Sequence, residues 1–355
     1  MNDVSLPNMQ GPVCPLPVKS YDHIVMGHGS GGKMTHDLIQ QYFVPNFANS
    51  ALLAGNDFAQ ITSQQSGKIV VSTDAHIVSP LFFPGGDIGR LAVSGTVNDL
   101  AMSGGIPLGL TASFILEEGL PISTLEKIIV SMAATAQEAG VPIVAGDTKV
   151  VEKGKADGIF ISTSGVAWVP DYLNIGGACA QPGDAVIISG TLGDHGIAVL
   201  SARGELGLET AIHSDVAPLN HLIQNIVEHS KNVHVLRDPT RGGLATTLNE
   251  IAIQSQVGII LDEKSIPINP IVGATCEMLG FDPLYVANEG KVIVIVPNHE
   301  VDEVLNGMRS QKYGTNAVVI GHVESAPSGR VLLRTTIGGT RLLDVMSGEM
   351  LPRIC

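Results

Sequence analysis

Positive charge is scarce in this chain: 20 Lys and Arg stand against 34 Asp and Glu, a formal charge of −14 over 355 residues, and no two basic residues are adjacent. Binding a phosphate backbone takes clustered cations, so nucleic acid is excluded as an expected partner. Apolar runs are short, of the length of Val292 to Val296, against the roughly 20 residues that cross a bilayer. No membrane contact is expected. The N-terminus lacks a basic stretch leading into an apolar one, and the chain reads as cytoplasmic. Cysteines number four, Cys14, Cys179, Cys276 and Cys355, too few for a disulfide framework and without the CxxC spacing of structural zinc. Aromatic residues make up 4% and charged residues 15%.

What the chain does have is 44% hydrophobic residues with 41 Gly and 20 Pro. That composition rules out disorder, coiled coil and collagen and describes a loop-rich globular protein. At about 150 residues per domain, two substantial domains are expected. Residues 1–20 carry four prolines without apolar periodicity and read as a flexible extension. Strand-like and helical runs then alternate through residues 21–172. A polar, Gly-rich break at 173–184 opens a second unit over 173–345 with the same rhythm. Mixed sheets covered by helices follow, an α/β or α+β architecture. Asp87 is placed to cap a small-residue helix through Asn98 and Asp99. Ser123 and Glu126 suggest a capping box for a helix with apolar residues at Leu125, Ile128, Ile129 and Met132, stopped by Gly140. Val331–Thr336 and Thr340–Val345 suggest a hairpin turning on Gly338 and Gly339. The last ten residues, 346–355, have no period and read as a free tail.

Gly27-His28-Gly29-Ser30-Gly31-Gly32-Lys33 nearly fits a P-loop, but Met34 stands where Ser or Thr should hold magnesium. What survives is an anion cradle of glycine amides, Gly29, Gly31 and Gly32, with Lys33 as added cation; a plain glycine turn before a helix at Thr35–Tyr42 is the alternative. Asp74 follows a β-branched run, Asp147 ends another, and Asp99 lies beside Asn98 on the small-residue helix. Each carboxylate alone reads as a cap or turn residue. Together they suit a hard cation bound through one or two carboxylates and substrate phosphates. Thr148 and Lys149 adjoin Asp147, and a desolvated lysine there could act as a base. Asp238 is placed to cap a helix and Arg241 to face an anion. Glu289 precedes an apolar strand, where it orients a ligand or caps the strand. Cys355 ends the chain after Pro352, and ten extended residues reach about 33 Å, enough to carry a thiol from solvent into a site.

GHGSGGK, STDAHIVSPLFFPGGDIG, GTVNDLAMSG, GDTKVV, GTLGDHG, DPTRGG, ANEGK and the terminal PRIC, in this order over residues 22–355, resemble the carbamoyl dehydratases of NiFe-hydrogenase maturation, the HypE family, within the aminoimidazole ribonucleotide synthetase superfamily. The resemblance implies a two-domain α/β fold, a homodimer through the N-terminal domains, and ATP with Mg²⁺. It implies a carbamoyl group placed on Cys355 by a HypF-type carbamoyltransferase and dehydrated to a thiocyanate. The cyano group would then pass to iron on a HypC–HypD-type scaffold.

An amide oxygen leaves poorly, so dehydration requires phosphorylating it and removing protons from nitrogen. Lys149 is the first candidate base and Glu289 the second. Asp74, Asp99 and Asp147 are expected on the metal. Asn98, Thr148 and the glycine loop are expected at the phosphates, with Arg241 and His28 contacting phosphate or tail. Two other readings stay open: a selenophosphate synthetase-like enzyme using Cys14 and Lys33, and a non-catalytic carrier presenting Cys355.

Overall fold

The structure is a computed structural model that describes residues 21–29, 33–49, 53, 66–204, 211–345, 351, 353 and 354. Cys14, Gly31, Gly32, the Lys33 side chain and Cys355 lie outside the described residues, so the expectations placed on them are not addressed by it.

The strands of the first half are β1 (Lys68–His76), β2 (Phe82–Phe83), β3 (Gly86–Asp87), β4 (Ile106–Glu117), β5 (Ile143–Val151) and β6 (Ile159–Val169). Four of them form one sheet in the order β1-β6-β4-β5, while β2 and β3 pair separately. Only β4 and β5 run parallel. Along β6 buried and half-buried residues alternate strictly, as a sheet covered on one face requires. The covering helices are α3 (Ile88–Ala101) and α4 (Ile122–Ala139). They follow the short α1 (Lys33–Leu38) and α2 (Val44–Phe47), which a π-helical turn at Ile39–Phe43 joins. Asp87 caps α3 as expected, its Oδ1 accepting from Gly89 N at 2.7 Å and Arg90 N at 3.1 Å, a contact worth about 1 kcal/mol.

Among the described residues the second half holds seven strands, β7 (Asp184–Ile188), β8 (Val235–Arg237), β9 (Gly258–Asp262), β10 (Ile293–Pro297), β11 (Val318–Glu324), β12 (Arg330–Arg334) and β13 (Thr340–Leu343). Their order is β13-β12-β9-β11-β7-β10-β8. The α-helices that accompany them among the described residues are α5 (Asp194–Ala202), α6 (Asn220–His229), α7 (Gly243–Ser255), α8 (Pro270–Leu279) and α9 (Val301–Arg309). Ile293 and Ile295 face α7 residues Leu244, Leu248 and Ile251, whereas Val292, Val294 and Val296 face Leu222, Ile226, Val304 and Met308 of α6 and α9. Coverage on both faces is why the run 292–296 is apolar without alternation.

Several expectations change. The Ser123–Glu126 capping box does not form: α4 begins at Ile122 with Pro121 at its cap, and the Ile122 N–H is taken by the Asp22 carbonyl at 2.9 Å. Gly140 does end it, in the left-handed region at φ 68°. Asp238 caps no helix, because α7 starts beyond Gly242. The hairpin forms between β12 and β13, but its loop spans residues 335–339. The helix read from Thr35 starts at Lys33 and passes into the π turn. β1 and β5 run past their glycine and threonine breaks, so Asp74, Asp147, Thr148 and Lys149 sit inside strands, not at strand ends.

Candidate active site

Strand register separates residues that the sequence reading put together. Asp74 is in register with Thr163, which pairs with Ala112 and through it Gly146; Asp147 belongs to the adjacent row with Ser113 and Ser162. Adjacent rows point to opposite faces. β1 and β5 are also the two edges of the sheet, three strand spacings or about 14 Å apart. Within one chain, Asp147 therefore does not join Asp74 and Asp99.

The first group lines a cavity of about 200 Å³ bounded by Asp74, His76, Gly95, Asp99, Asp238, Arg241 and Glu289. β1 supplies Asp74 and His76, α3 supplies Gly95 and Asp99, and the loops before α7 and β10 supply the rest. Ser72 Oγ donates to Asp99 Oδ2 at 2.7 Å. Burial raises the Asp74 carboxyl, with Arg241 pulling the other way. Crowding by protein atoms raises Asp99, aided by the charge of Asp74. Asp238 is pushed up to about 7, first by burial and then by Asp99. His76 is buried and its imidazole pushed down to about 4, by desolvation and then by Arg241. Three carboxylates held this way form a region that favours added positive charge. Gly95 keeps it open: a Cβ there would stand 3.3 Å from Asp74 Oδ2 and 3.0 Å from His76 Cε1. Among the described residues no group of three or more His, Cys, Asp or Glu side chains is arranged to hold a metal ion by itself. An all-oxygen set completed by phosphate suits magnesium, which rarely uses an all-protein cage.

The second group, Gly29, Asp147, Thr148 and Lys149, lines a separate cavity of about 150 Å³ with Phe43, Phe47 and Phe114 at its apolar wall. Asp147 Oδ1 accepts from Thr148 N at 2.8 Å and Lys149 Nζ at 3.2 Å. The Lys149 side chain is 65% exposed, so the desolvation on which its role as base rested is missing in the single chain. Glu289, only 4% exposed and in the carboxylate cavity, has the burial that Lys149 lacks. Asn98, expected at the phosphates, spends its side chain on backbone groups of the second half. Its amide donates to the Ala217 and Glu289 carbonyls at 3.0 and 3.4 Å and its Oδ1 accepts from Leu219 N at 2.7 Å, tying the two halves together. His28 is likewise committed: buried, it accepts from Val25 N through Nδ1 at 3.0 Å and folds its own turn. Gly29 is required by close approach, since a Cβ would meet Val150 N of β5 at 2.5 Å. Gly29→Ala is expected to lower stability by about 1–3 kcal/mol, read as a fall in Tm.

Of the tail read as free, the described residues are docked. Leu351 and Ile354 are 9% and 4% exposed in a cluster with Ile197, Val272 and Val286. His195, buried on α5, reaches the Ile354 carbonyl at 2.8 Å. Sequence reading missed His195, His76 and the cavity role of Asp238; GTLGDHG, STDAHIVSP and DPTRGG held them, but the first and last read as loop and cap, and in the second only Asp74 was singled out.

Residues 55–169 match the AIR synthase related protein N-terminal domain and residues 181–334 the C-terminal domain. The carbamoyl dehydratase HypE of Cupriavidus necator is 55% identical over 341 residues, covering 96% of this chain and 97% of that protein. The crystal structure of hydrogenase maturation protein HypE in complex with ATP superposes with a TM-score of 0.89 at 46% identity, over 93% of this chain and 99% of that one. A HypE–HypF complex structure gives a TM-score of 0.76 at 48% identity, over 89% of this chain and all of that one (100%). No described helix is long and apolar enough to cross a membrane. With both halves of the fold, more than half of the residues and nearly the whole length in common with such a relative, this chain belongs to the carbamoyl dehydratase HypE family of the AIR synthase related proteins.

Proposed function

We propose that the protein dehydrates a carbamoyl group carried as a thioester-like adduct on Cys355, consuming ATP and producing a thiocyanate as the source of cyanide ligands for NiFe-hydrogenase. The carbamoyl oxygen takes the γ-phosphoryl group and leaves as phosphate, while the nitrogen gives up both protons as the C≡N bond forms. Glu289 is the assigned base, Arg241 the cation facing the phosphates. Asp74, Asp99 and Asp238 are the side chains that would hold Mg²⁺, which when bound neutralises phosphate charge and aligns the transferred group. The observation that carries this reading is the seating of Ile354, one residue before Cys355, against α5, while Asp215, beside the Ser214 that fixes His195, also fixes the backbone N–H of Glu289 at 3.0 Å.

The uncovered face of the four-stranded sheet exposes Val71 (75%) and Ile69 (58%) with Ile106 and Ile115. A second copy of the chain is the proposed cover, and the same contact brings Asp147 and Lys149 into the interface. A HypF-type carbamoyltransferase is the proposed donor partner, a HypC–HypD-type iron scaffold the acceptor, and the cytoplasm the compartment.

The test is to incubate the protein with the carbamoyltransferase, carbamoyl phosphate and ATP and weigh the C-terminal peptide. A carbamoyl adduct on Cys355 that loses one water in an ATP-dependent step is expected. An adduct of constant mass would describe a carrier, and no adduct would remove the reading in favour of a selenophosphate synthetase-like activity.

A further inference from the structure

His195 is completely buried, yet both ring nitrogens have partners. Nε2 is 2.8 Å from the Ile354 carbonyl oxygen and Nδ1 is 2.8 Å from Ser214 Oγ. Phe83 lies edge-on to the ring at 5.5 Å. A carbonyl can only accept, so Nε2 carries the proton and donates. Burial keeps the ring neutral, so Nδ1 accepts from the Ser214 hydroxyl. That oxygen accepts in turn from Val216 N at 3.1 Å. The relay holds one tautomer, and it is the one that grips the tail.

A second grip lies one residue earlier. The Arg353 carbonyl accepts from Arg203 Nη2 at 2.9 Å and from Ser79 N at 3.3 Å. Arg203 Nε is itself fixed on the Ser79 carbonyl at 2.9 Å, and the Arg353 guanidinium pairs with Asp157. Arg353 sits at φ 54°, a left-handed conformation that persists in a non-glycine residue only where its surroundings over-determine it. Two successive carbonyls are thus caught just before Cys355. Ser214, which orients His195, adjoins Asp215, which accepts from Glu289 N and from Lys291 Nζ at 2.9 Å. One short segment therefore aligns the tail grip with the assigned base.

We propose that His195 is a positioning residue for the dehydration: its Nε2–H···O=C bond to Ile354, with Arg203 as the second grip, seats the tail peptide so that the group on the following sulfur meets Glu289 and the phosphates. The proposal rests on the dehydratase reading. His195 touches no reacting atom, and its effect is on the geometry of approach, where a misplacement of about 1 Å costs up to about 100-fold.

Two measurements test it on the full-length protein: single-turnover dehydration of the carbamoylated form at saturating ATP, and the rate at which iodoacetamide alkylates Cys355 in the unmodified form, read on the C-terminal peptide. His195→Ala is expected to slow dehydration about 10- to 100-fold, leave the KM for ATP unchanged and speed alkylation. His195→Gln, whose amide still donates, is expected to recover most of both. Wild-type rates in His195→Ala would overturn the proposal, as would faster alkylation with undiminished dehydration, which would make the docked tail a storage state. If His195→Ala does not fold, Ser214→Ala removes the relay but keeps the imidazole, and is expected to shift both rates in the same directions; unchanged rates there would also overturn it. Failure of the wild-type protein to dehydrate at all would instead sink the functional reading, since alkylation scores the seat without turnover.

Discussion

Glu289→Gln is expected to slow loss of water from the carbamoylated C-terminal peptide by about 10²- to 10⁴-fold, the range for removing a general base, with ATP affinity within about twofold of wild type. The substitution is nearly isosteric, and the backbone N–H and carbonyl of Glu289 are held independently by Asp215 and by Ala217 and Asn98. The scaffold is therefore expected to survive it. An amide nitrogen is far too weak an acid to lose its protons unaided, even once its carbonyl oxygen carries phosphate, so the effect belongs on the elimination step. Phosphoryl transfer preceding it need not slow, and ATP hydrolysis uncoupled from thiocyanate formation is the accompanying signature. Lys149→Ala is the matched comparison. In the proposed reading a lysine 65% exposed beside Asp147 serves phosphate or the interface, so its loss is expected to act on KM for ATP before kcat. If Lys149→Ala abolishes dehydration with ATP binding intact while Glu289→Gln retains it, the two assignments exchange.

The family and the architecture were legible because they rest on local signals. Asp87 caps α3 by its own side chain, Gly140 stops α4 in a left-handed turn, and the run 292–296 announces a strand covered on both faces. The candidate site was only half legible. Asp74 and Asp99 do share a cavity, but Asp147 does not, because which face a strand residue takes depends on register across three partners, and a shift of one residue reverses it. Asp238 read as a cap since Asp before a Gly-rich turn usually is one; its burial against Asp74 and Asp99 is a long-range fact. Asn98 has the polarity of a phosphate ligand and spends it on the backbone of the other half. The tail read as free because Leu351 and Ile354 have no periodicity, although two isolated apolar side chains are enough to dock a peptide whose carbonyls are also caught by His195 and Arg203.

Asp238→Asn is expected to separate stability from activity. The Asp238 carboxyl is pushed up to about 7 by burial and by Asp99, whereas in the unfolded chain it titrates near about 4. Between those values the native state binds more protons than the unfolded chain. The stability associated with the protonated form is fully present below about 4 and is lost as pH rises toward 7, leaving the metal-free protein to bear the repulsion at higher pH. Removing the charge removes that repulsion. At pH 8 the variant, without nucleotide, is expected to gain on the order of 1 kcal/mol, or about 2–4 °C in Tm, while near pH 4 its Tm matches wild type. Dehydration should move the opposite way and fall by about 10²- to 10³-fold, the scale for removing one preorganised electrostatic contact, because in the proposed reading the charges of Asp74, Asp99 and Asp238 are the ones that would hold a divalent cation with its triphosphate. Added Mg²⁺ and ATP should accordingly raise the Tm of the wild type more than that of the variant. A variant that melts lower than wild type at pH 8, or dehydrates at the wild-type rate, would show that Asp238 is not a working member of the carboxylate cavity.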